Sequence, residues 1–569
     1  MRFIIPILFT IIILSTACHK SENVIPTPLP IVEISTDKAV YKPGDVVTFT
    51  LALSPDNPIK VRYKYLNEII EENTISTTTW TWTPPTQDFK GYMTELSSTT
   101  NGTEQIIGTI AVDVSSDWKN FPRYGFLSSF HEMSSAAMDD NIKRLSRYHI
   151  NGLQFYEPTE KYHKPLAGTV NNPSYMWQDF ARRSTYKPTV EGYIAKAHQA
   201  GMKAMLYNLI NGALEDAEAD GVNRKWYLFT DRFHTQRAFY DPGSAFKSPI
   251  YLMNPTHTAW IEYMASKNTD LYAVYNFDGI HYNQIRNLGN LNDFIGFGIY
   301  LSNGYNTSLQ TLHWANPSKD LLLTTFNSWD AGYYTDFRYF ELWNPQLDFA
   351  DLYAYKVSPP DPKIFVLAAY VNYALADHPG FFNTPSVLFA DAVIFALGGS
   401  HIELGEHMLC NEYFPNDNLQ MKPDLQSKLV TYYDFLTAYE NVLRDGGRIY
   451  EAELTSLDHK VNIYPWPPQI GGVTSVEREM DNRQVYHLLN FTNATTLQWR
   501  DDTGIQTKPD PIEDFELTYT SLDHVKKVWF ASPDYMEGAS EEIDFKQDGI
   551  KLSFKVPYLE YWTMIVVEY

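Results

Sequence analysis

Glu341 is the residue of this chain whose surroundings best suit acid catalysis. It lies in the segment RYFELWNP, between Phe340 and Trp343. Apolar neighbours raise the pKa of a carboxyl group and keep it protonated, as a general acid must be. Cleavage of a glycosidic bond usually needs such an acid and a second carboxyl group. We therefore take Glu341 as a candidate acid, with a strand-end glutamate in an ordinary salt bridge as the alternative.

Other polar and aromatic residues end short apolar segments and have the types that bind sugars. Amides bind hydroxyl groups, and aromatic rings stack on the apolar faces of sugar rings. The candidates at segment ends are Tyr156, Tyr207, Asn208, His281, Asn327 and Trp343. Each has a structural alternative, since the rings and His281 can fill a core and the amides can bond the backbone. Trp177 and Asp179, in YMWQDFARR, fit a cleft wall or an exposed loop.

Several other chemistries find no support in the sequence. No Cys/His cluster has the spacing of a zinc site, HExxH is absent, and so is the GxSxG motif of serine hydrolases. We predict no metal and no cofactor. The net charge of −23 argues against a nucleic-acid partner, because phosphate binding needs a positive surface. The 40 tyrosines and 13 tryptophans suit either sugar binding or β-rich cores.

The candidate residues follow short apolar runs that alternate with helical segments between about residues 118 and 445. This alternation is the βαβ pattern, and eight such units fit a (β/α)₈ (TIM) barrel whose active site lies at the C-terminal ends of the strands. A doubly wound open sheet is the alternative, but no glycine-rich phosphate loop follows any strand. In AKAHQAGMKAMLYN, a helix stops at Gly201 and a strand follows. The predicted strands are 123–130, 152–157, 203–208, 277–283, 321–327, 338–343, 364–370 and 401–405, and the helices include 136–147, 189–199 and 425–444.

Both flanks of the predicted barrel have β patterns. In residues 31–117, the segment DVVTFTLAL alternates apolar and polar side chains, which predicts a small immunoglobulin-like β-sandwich. In residues 446–569, GIKLSFKV alternates in the same way and YWTMIVVEY reads as a closing strand. We predict a C-terminal β-sandwich there, so the chain is multidomain with a central barrel.

The N-terminus has the features of a secretion signal. One arginine precedes an apolar run in MRFIIPILFTIIILSTACHK, and the run is too short for an ordinary membrane-spanning helix. The small residues before Cys18 resemble a bacterial lipoprotein signal. Residues 1–17 would then be cleaved, Cys18 would carry the lipid, and residues 18–30 would form a tether. This predicts a bacterial cell-envelope protein, periplasmic or on the outer-membrane surface, that contacts the membrane only through its lipid anchor.

Six segments in order resemble glycoside hydrolase family 66, the dextranases and cycloisomaltooligosaccharide glucanotransferases. They are RYGFLSSF, HINGLQFYE, YIAKAHQAGMKAMLYNLINGA, YLMNP followed by a tryptophan, FDGIHYNQI and FELW. The resemblance implies a (β/α)₈ barrel that acts on α-1,6-linked glucan with retention. It makes Glu341, in the family's E-[LV]-W motif, the acid/base. The family's nucleophile is an Asp in a DGxxxDxxG-like motif, and that position here is Asn283.

Asn283 leaves the activity open. An amide is a poor nucleophile, and it cannot stabilise an oxocarbenium ion as a full negative charge does. One hypothesis is an active dextranase-like enzyme in which another carboxylate substitutes, and Asp330, Glu403, Glu406 and Glu412 are candidates without a motif. The other two are a catalytically silent lipoprotein that binds α-glucan at the cell surface and a structural lipoprotein with an inherited barrel. Asp278, five residues before Asn283, is better explained as structural.

Overall fold

The computed structural model describes residues 32–569 except 56, 101, 286–288, 326–333, 357–362 and 451–453. The predicted signal, the tether and Cys18 therefore lie outside the described residues, and so does Asn327. In the described part of the chain, no helix is both long and apolar enough to cross a membrane.

The N-terminal region consists of two β-sheets. A three-stranded sheet has the order β1-β2-β5, and a four-stranded sheet has the order β4-β3-β6-β7. Apolar side chains of both sheets, among them Phe49 and Tyr63, join one buried cluster. The immunoglobulin-like class of this region stays a prediction. The strands are β1 Ile34–Thr36, β2 Val47–Leu51, β3 Ile59–Tyr65, β4 Glu68–Ile75, β5 Thr79–Trp82, β6 Lys90–Thr100 and β7 Thr103–Val114.

The central region is an eight-stranded parallel sheet that nearly closes into a barrel. Its strands follow one another in chain order around the sheet. The first and last are joined where the Phe126 N–H donates to the Leu404 carbonyl at 3.1 Å. This confirms the central barrel, and the open-sheet alternative is wrong. The strands are β8 Tyr124–Leu127, β9 Gly152–Phe155, β10 Lys203–Leu209, β11 Gly279–Asn283, β12 Asp320–Thr325, β13 Arg338–Glu341, β14 Phe365–Ala368 and β15 Ser400–His401.

Helices pack outside the barrel, and local signals explain their ends. The Ser134 hydroxyl accepts the Ala137 N–H and caps the first helix. Gly201 ends the second helix with φ +81°, and a β-carbon there would lie 2.6 Å from the Val40 carbonyl oxygen. The helices are α1 Ser135–Arg147, α2 Lys187–Gln199, α3 Thr258–Tyr272, α4 Leu301–Ala315, α5 Phe349–Leu352, α6 Thr384–Ala396, α7 Pro423–Ala438 and α8 Glu440–Leu443.

Strand alternation decides which side chains face the barrel interior. In β11, Ile280 and Tyr282 join the apolar layer under the helices, whereas the His281 ring lies 4.4 Å from that of Tyr339 inside the barrel. Asn283 is two residues beyond His281 and therefore points to the same side at the C-terminal end of the strand. The same rule places Glu341, two residues after Tyr339, at this end of β13.

Short strands decorate the loops between the barrel elements. They pair in twos and threes, and most lie on the long connections that follow β9 and β10. Their bounds are Gly168–Thr169, Asn172–Pro173, Met176–Gln178, Ser184–Tyr186, Gly212–Ala213, Phe239–Tyr240, Ile250–Leu252, Leu291–Asn292, Gly298–Ile299, Gly380–Phe381 and Leu419–Gln420.

The C-terminal region again consists of two sheets. One has the order β16-β19-β20-β26-β22-β23, with β18 paired to β19, and the other has the order β17-β21-β25-β24. Both sheets contribute to one apolar cluster, and its class as a β-sandwich stays a prediction. The strands are β16 Arg448–Tyr450, β17 Thr455–Ser456, β18 Ile463–Tyr464, β19 Val473–Met480, β20 Arg483–Asn490, β21 Ile512–Thr520, β22 Lys527–Ala531, β23 Glu541–Glu542, β24 Phe545–Asp548, β25 Lys551–Leu559 and β26 Trp562–Glu568.

Buried ionic groups join the N-terminal sheets to the barrel. The Arg123 guanidinium, fully buried at the start of the barrel, donates to Asp113 of β7 and to Glu440 of α8. Asp434 of α7 accepts the Ala111 N–H of β7 at 2.8 Å and pairs with Arg147. Removing one partner of such a pair leaves an uncompensated buried charge, which is strongly destabilising. These contacts fix the N-terminal sheets against the barrel, while the predicted domain boundaries stay predictions.

Candidate active site

Glu341 and Asn283 line one cavity at the C-terminal ends of the barrel strands. The cavity measures about 200 Å³, and β9 to β13 and Tyr370, which follows β14, all contribute to its wall. The barrel fold therefore gathers the predicted acid and the substituted nucleophile position where an active site of this fold belongs. The lining residues are Gln154, Tyr156, Tyr207, Asn283, Thr324, Tyr339, Glu341, Tyr370, Glu412 and Phe414.

The Glu341 carboxyl group is buried and hydrogen-bonded to Tyr370. Glu341 is 7% exposed, and its Oε1 accepts a hydrogen bond from the Tyr370 hydroxyl at 2.8 Å. Burial raises the pKa of the Tyr370 phenol well above its usual value, so this hydroxyl keeps its proton and remains a donor. A fixed carboxyl group at a cavity wall has the geometry that proton transfer to a bound substrate needs.

The Asn283 amide is fixed by two hydrogen bonds. Its Nδ2 donates to the Tyr207 hydroxyl at 2.9 Å, and its Oδ1 accepts the Gln284 N–H at 2.7 Å. The residue is half-buried. The amide thus faces the cavity in one orientation but brings no charge to it, and its predicted place as the nucleophile position stays a prediction.

Tyr156 and Tyr207 form an aromatic wall between two cavities. Their rings lie 4.9 Å apart, and Tyr156 also stacks on Phe414 at 4.4 Å. Both line the cavity of Glu341 and an adjoining one of about 540 Å³. Each residue is only 7% exposed, so a sugar would meet ring edges and hydroxyl groups here. Their substrate-binding role stays a prediction.

Glu157 is a second buried carboxyl group and lines the larger cavity. It follows β9, and its Oε1 accepts the Tyr162 hydroxyl at 2.6 Å. Burial raises the pKa of this carboxyl group to about 7, while the Tyr162 hydrogen bond and the Arg183 charge act in the opposite direction. Glu157 therefore titrates near neutral pH within reach of a ligand.

His281 and Asn208 lie below the cavities. His281 is fully buried, its Nε2 lies 3.0 Å from the Thr324 hydroxyl, and burial lowers its pKa to about 3. The Asn208 amide is also buried, since its Nδ2 donates to the Tyr162 carbonyl and its Oδ1 accepts the Leu209 N–H. The residues lining the two cavities do not include either of them. Direct substrate contact by these two residues stays a prediction.

Trp177 and Asp179 are also buried rather than open to a cleft. The Trp177 indole N–H donates to the Pro158 carbonyl at 2.7 Å, and the ring belongs to the apolar layer outside the barrel. Asp179 is 2% exposed and accepts both the backbone N–H and the guanidinium of Arg183. Through these contacts both residues stabilise the loop after β9. Their predicted role in substrate binding stays a prediction.

Trp343, which follows β13, packs beside the C-terminal region. Its ring lies 5.7 Å from Tyr370 and 5.8 Å from Tyr373. The Arg500 guanidinium, from the connection between β20 and β21, lies 5.4 Å from the Trp343 ring and 4.0 Å from that of Tyr373. The C-terminal region therefore reaches the mouth of the barrel, and a sugar-facing role of Trp343 stays a prediction.

The substitute carboxylates considered from the sequence have different surroundings. Asp278 pairs with His198 and Lys203 at the start of β11; burial opposes its ionisation, but these hydrogen bonds lower its pKa to about 2. Glu403 is buried against Tyr433, and Glu406 accepts the backbone N–H groups of Ser128 and Ser129. These three carboxyl groups do not line the two cavities, and Asp330 lies outside the described residues. Glu412 lines both cavities.

Two clusters in the described part of the chain have the donor types of a metal site. His163, Asp216 and Asp220 converge, but the ammonium groups of Lys161 and Lys164 already pair with Asp220 at 2.6 and 3.2 Å. The second cluster, Asp391, His401 and Glu403, is fully buried under the helices. Neither cluster contributes to the cavity of Glu341.

Sequence reasoning missed some of the cavity wall. Tyr339 and Tyr370 belong to predicted strands, and their two-residue spacing from Glu341 and Ala368 is a signal that would have placed them on the inner face. Phe414 comes from the long connection after β15, where no periodicity indicates which side chain turns inward. Glu412, one of the candidate carboxylates from the sequence, lies in the same connection. They reach the cavity through tertiary folding alone.

The proteins that this chain resembles in sequence and structure include cycloisomaltooligosaccharide glucanotransferases and a dextranase. A cycloisomaltooligosaccharide glucanotransferase of Niallia circulans is 25% identical over 95% of this chain and 73% of its own length. A dextranase of Streptococcus salivarius is 21% identical over 80% of this chain and 65% of its own length. The crystal structure of a Paenibacillus sp. cycloisomaltooligosaccharide glucanotransferase complexed with cycloisomaltoheptaose shares the fold, with a TM-score of 0.85 at 23% identity over 94% of this chain and 99% of that one.

The family model described as glycosyl hydrolase family 66 matches residues 36–566, which include both flanking regions and the whole barrel. The match covers Glu341 at the cavity wall and Asn283 opposite the Tyr207 hydroxyl. The resemblance read from six segments is thereby confirmed, and the chain belongs to glycosyl hydrolase family 66.

Proposed function

We propose that this protein is a dextranase-like glycoside hydrolase that cleaves α-1,6-linked glucan, with Glu341 as the general acid. The observation that carries the proposal is the Glu341 carboxyl group, buried at the wall of the cavity and fixed by the Tyr370 hydroxyl. Relatives named as a dextranase and as cycloisomaltooligosaccharide glucanotransferases support the substrate class. An internal cleavage mode of the endo-dextranase type is part of the proposal.

Glu341 would act on the glycosidic oxygen. A buried carboxyl group next to a bound sugar protonates this oxygen as the bond to the anomeric carbon breaks, which makes the leaving group neutral. The aromatic wall of Tyr156 and Tyr207 would exclude bulk water from one side of the bond. The retaining course implied by the family resemblance needs a carboxylate nucleophile, and Asn283 does not supply one.

Asn283 also supports a second candidate function, a catalytically silent protein that binds α-glucan. Its amide can hold a sugar hydroxyl as donor or acceptor, and the two adjoining cavities of about 200 and 540 Å³ are large enough for more than one sugar ring. Without a charge at position 283 the cavities would bind a glucan chain and leave it intact.

One pair of assays separates the two functions. The purified protein is incubated with dextran and reducing ends are measured, while affinity electrophoresis in dextran-containing gels measures binding. Retardation together with new reducing ends is the expected result. Retardation without new reducing ends would contradict the proposed hydrolase and support the binding protein. Starch serves as the control polymer, because its main linkages are α-1,4.

We also propose that the protein is anchored to the bacterial cell envelope through a lipid on Cys18, as the signal-like N-terminus indicates. Metabolic labelling with a fatty-acid analogue tests this. The label is expected on the full-length protein and is expected to disappear in Cys18→Ser. Equal labelling of both proteins would contradict the anchor.

A further inference from the structure

Two glutamates, not one, are among the residues that line the cavity of Glu341. Among its ten described lining residues, the second is Glu412, from the connection after β15. Glu412 also lines the larger cavity. It therefore stands where the two cavities meet, on the wall that the connection after β15 adds to the barrel.

Glu412 is exposed to solvent but has a fixed position. The Tyr373 hydroxyl donates to its Oε1 at 3.0 Å, and its carbonyl oxygen accepts the Tyr156 hydroxyl at 3.2 Å. Burial and the contact with Glu412 raise the pKa of Tyr373 to about 12, so the phenol remains a donor at neutral pH. The Arg500 guanidinium lies 4.0 Å over the Tyr373 ring and packs it in place.

Glu412 and Glu341 are connected to each other and to Asn283 through tyrosines. The Tyr373 ring lies 6.3 Å from that of Tyr370, whose hydroxyl binds Glu341. On the other side, Tyr156 contacts Tyr207, whose hydroxyl binds the Asn283 amide. Glu412, Glu341 and Asn283 thus line one cavity and are linked by the tyrosines of its wall.

The environments of the two carboxyl groups differ in the way that an acid and a base require. Glu341 is 7% exposed, whereas Glu412 is open to water. A general base that activates water must be reachable by water. In inverting glycosidases, the two carboxyl groups stand about 6.5–9.5 Å apart so that a water molecule fits between base and sugar. A water molecule takes about 30 Å³ of liquid, which the cavity of about 200 Å³ accommodates beside the reacting bond.

We propose that Glu412 is the general base of an inverting hydrolysis, with Glu341 as the acid. The Glu412 carboxylate removes a proton from water as the water oxygen forms a bond to the anomeric carbon. The bond between that carbon and the glycosidic oxygen breaks, and this oxygen takes the proton of Glu341. An α-linked glucan then gives a β-configured product. The inference rests on the proposed glucan cleavage, and it explains how cleavage proceeds with an amide at position 283.

Proton NMR of the first product tests the stereochemistry. The protein is mixed with a short isomaltooligosaccharide, and anomeric signals are recorded before mutarotation equilibrates them. Initial formation of the β-anomer is the expected result. Initial formation of the α-anomer would overturn the inference and leave glucan cleavage intact. Absence of any product from the wild-type protein would overturn both proposals.

Variants test Glu412 itself. Glu412→Gln keeps the acceptor oxygen for Tyr373 and loses the base, so kcat is expected to fall about 100-fold or more while retardation in dextran gels is unchanged. Tyr373→Phe, which removes only the hydrogen bond to Glu412, is expected to lower kcat less than tenfold. Glu262→Gln on the exposed face of α3 controls for the loss of a surface charge. A Glu412→Gln protein with the activity of that control would also overturn the inference.

Discussion

Replacing Asn283 by aspartate gives the cavity the carboxylate that the family resemblance implies for this position. The side chains have nearly the same shape, so the change needs no new space. One aspartate oxygen takes the place of Oδ1 and still accepts the Gln284 N–H at 2.7 Å. The other takes the place of Nδ2, which donates to the Tyr207 hydroxyl at 2.9 Å in the wild type, and can accept a hydrogen bond from that hydroxyl. The Gln284 N–H and the Tyr207 hydroxyl can therefore both donate hydrogen bonds to the new carboxylate.

The expected magnitude follows from these contacts. Hydrogen bonds to a charged group contribute about 1.5–3 kcal/mol each, which offsets part of the desolvation of a half-buried carboxylate. In the transition state the same charge lies beside a positively charged anomeric centre. Fixed electrostatic groups at such positions change rates by about 10²–10³-fold, or about 2.7–4 kcal/mol. We expect Asn283→Asp to raise kcat/KM on dextran at least 100-fold.

The assay is release of reducing ends from dextran, with the product anomer followed by proton NMR. Asn283→Asp is expected to give the α-anomer, because a carboxylate at this position opens the double-displacement route. Asn208→Asp, a similar change at a buried amide outside the cavity wall, serves as a control and is expected to give no gain. An unchanged rate and anomer in Asn283→Asp would refute the reasoning, since position 283 would then not face the scissile bond.

Two further predictions concern stability. Burial raises the pKa of Glu157 from 4.5 to about 7. Between these pH values the unfolded chain has lost the proton that the folded protein keeps, so the free energy of unfolding falls by about 3 kcal/mol as the pH rises from about 4.5 to 7. Urea unfolding at pH 5 and pH 8 should show this loss in the wild type and not in Glu157→Gln. Gly201→Ala should lower the free energy of unfolding by at least about 1 kcal/mol, because its φ is +81° and Val40 lies too close for a β-carbon; an unchanged urea midpoint would contradict this.

Much of the barrel was predictable because its signals are local. The strand-to-helix alternation located all eight strands, and Gly201 marked the end of a helix that needs a left-handed residue. Period-two alternation is a local rule as well, since a strand allows only two faces, and with His281 and Tyr339 inside the barrel it places Asn283 and Glu341 on the same side. These features depend on neighbours within a few residues, which a single sequence displays.

The rest of the candidate site depends on contacts between distant segments. The sequence suits Trp177 to a cleft wall or an exposed loop and His281 to a cleft or a core, and the packing of other elements buries both. Arg500 reaches Trp343 from a connection more than 150 residues away. Glu412 lies in a long loop without periodicity, so the sequence names it as one of four candidate carboxylates but does not place it at the cavity.

The most direct test of the account is hydrolysis of dextran by wild-type protein and Glu341→Gln under identical conditions. Glutamine keeps the shape of the side chain and an acceptor for Tyr370 but cannot donate the acidic proton. We expect reducing ends from the wild-type protein, a loss of about 100-fold or more in the variant, and equal retardation of both in dextran gels. Equal hydrolysis by the two proteins would contradict the central claim that Glu341 is the catalytic acid.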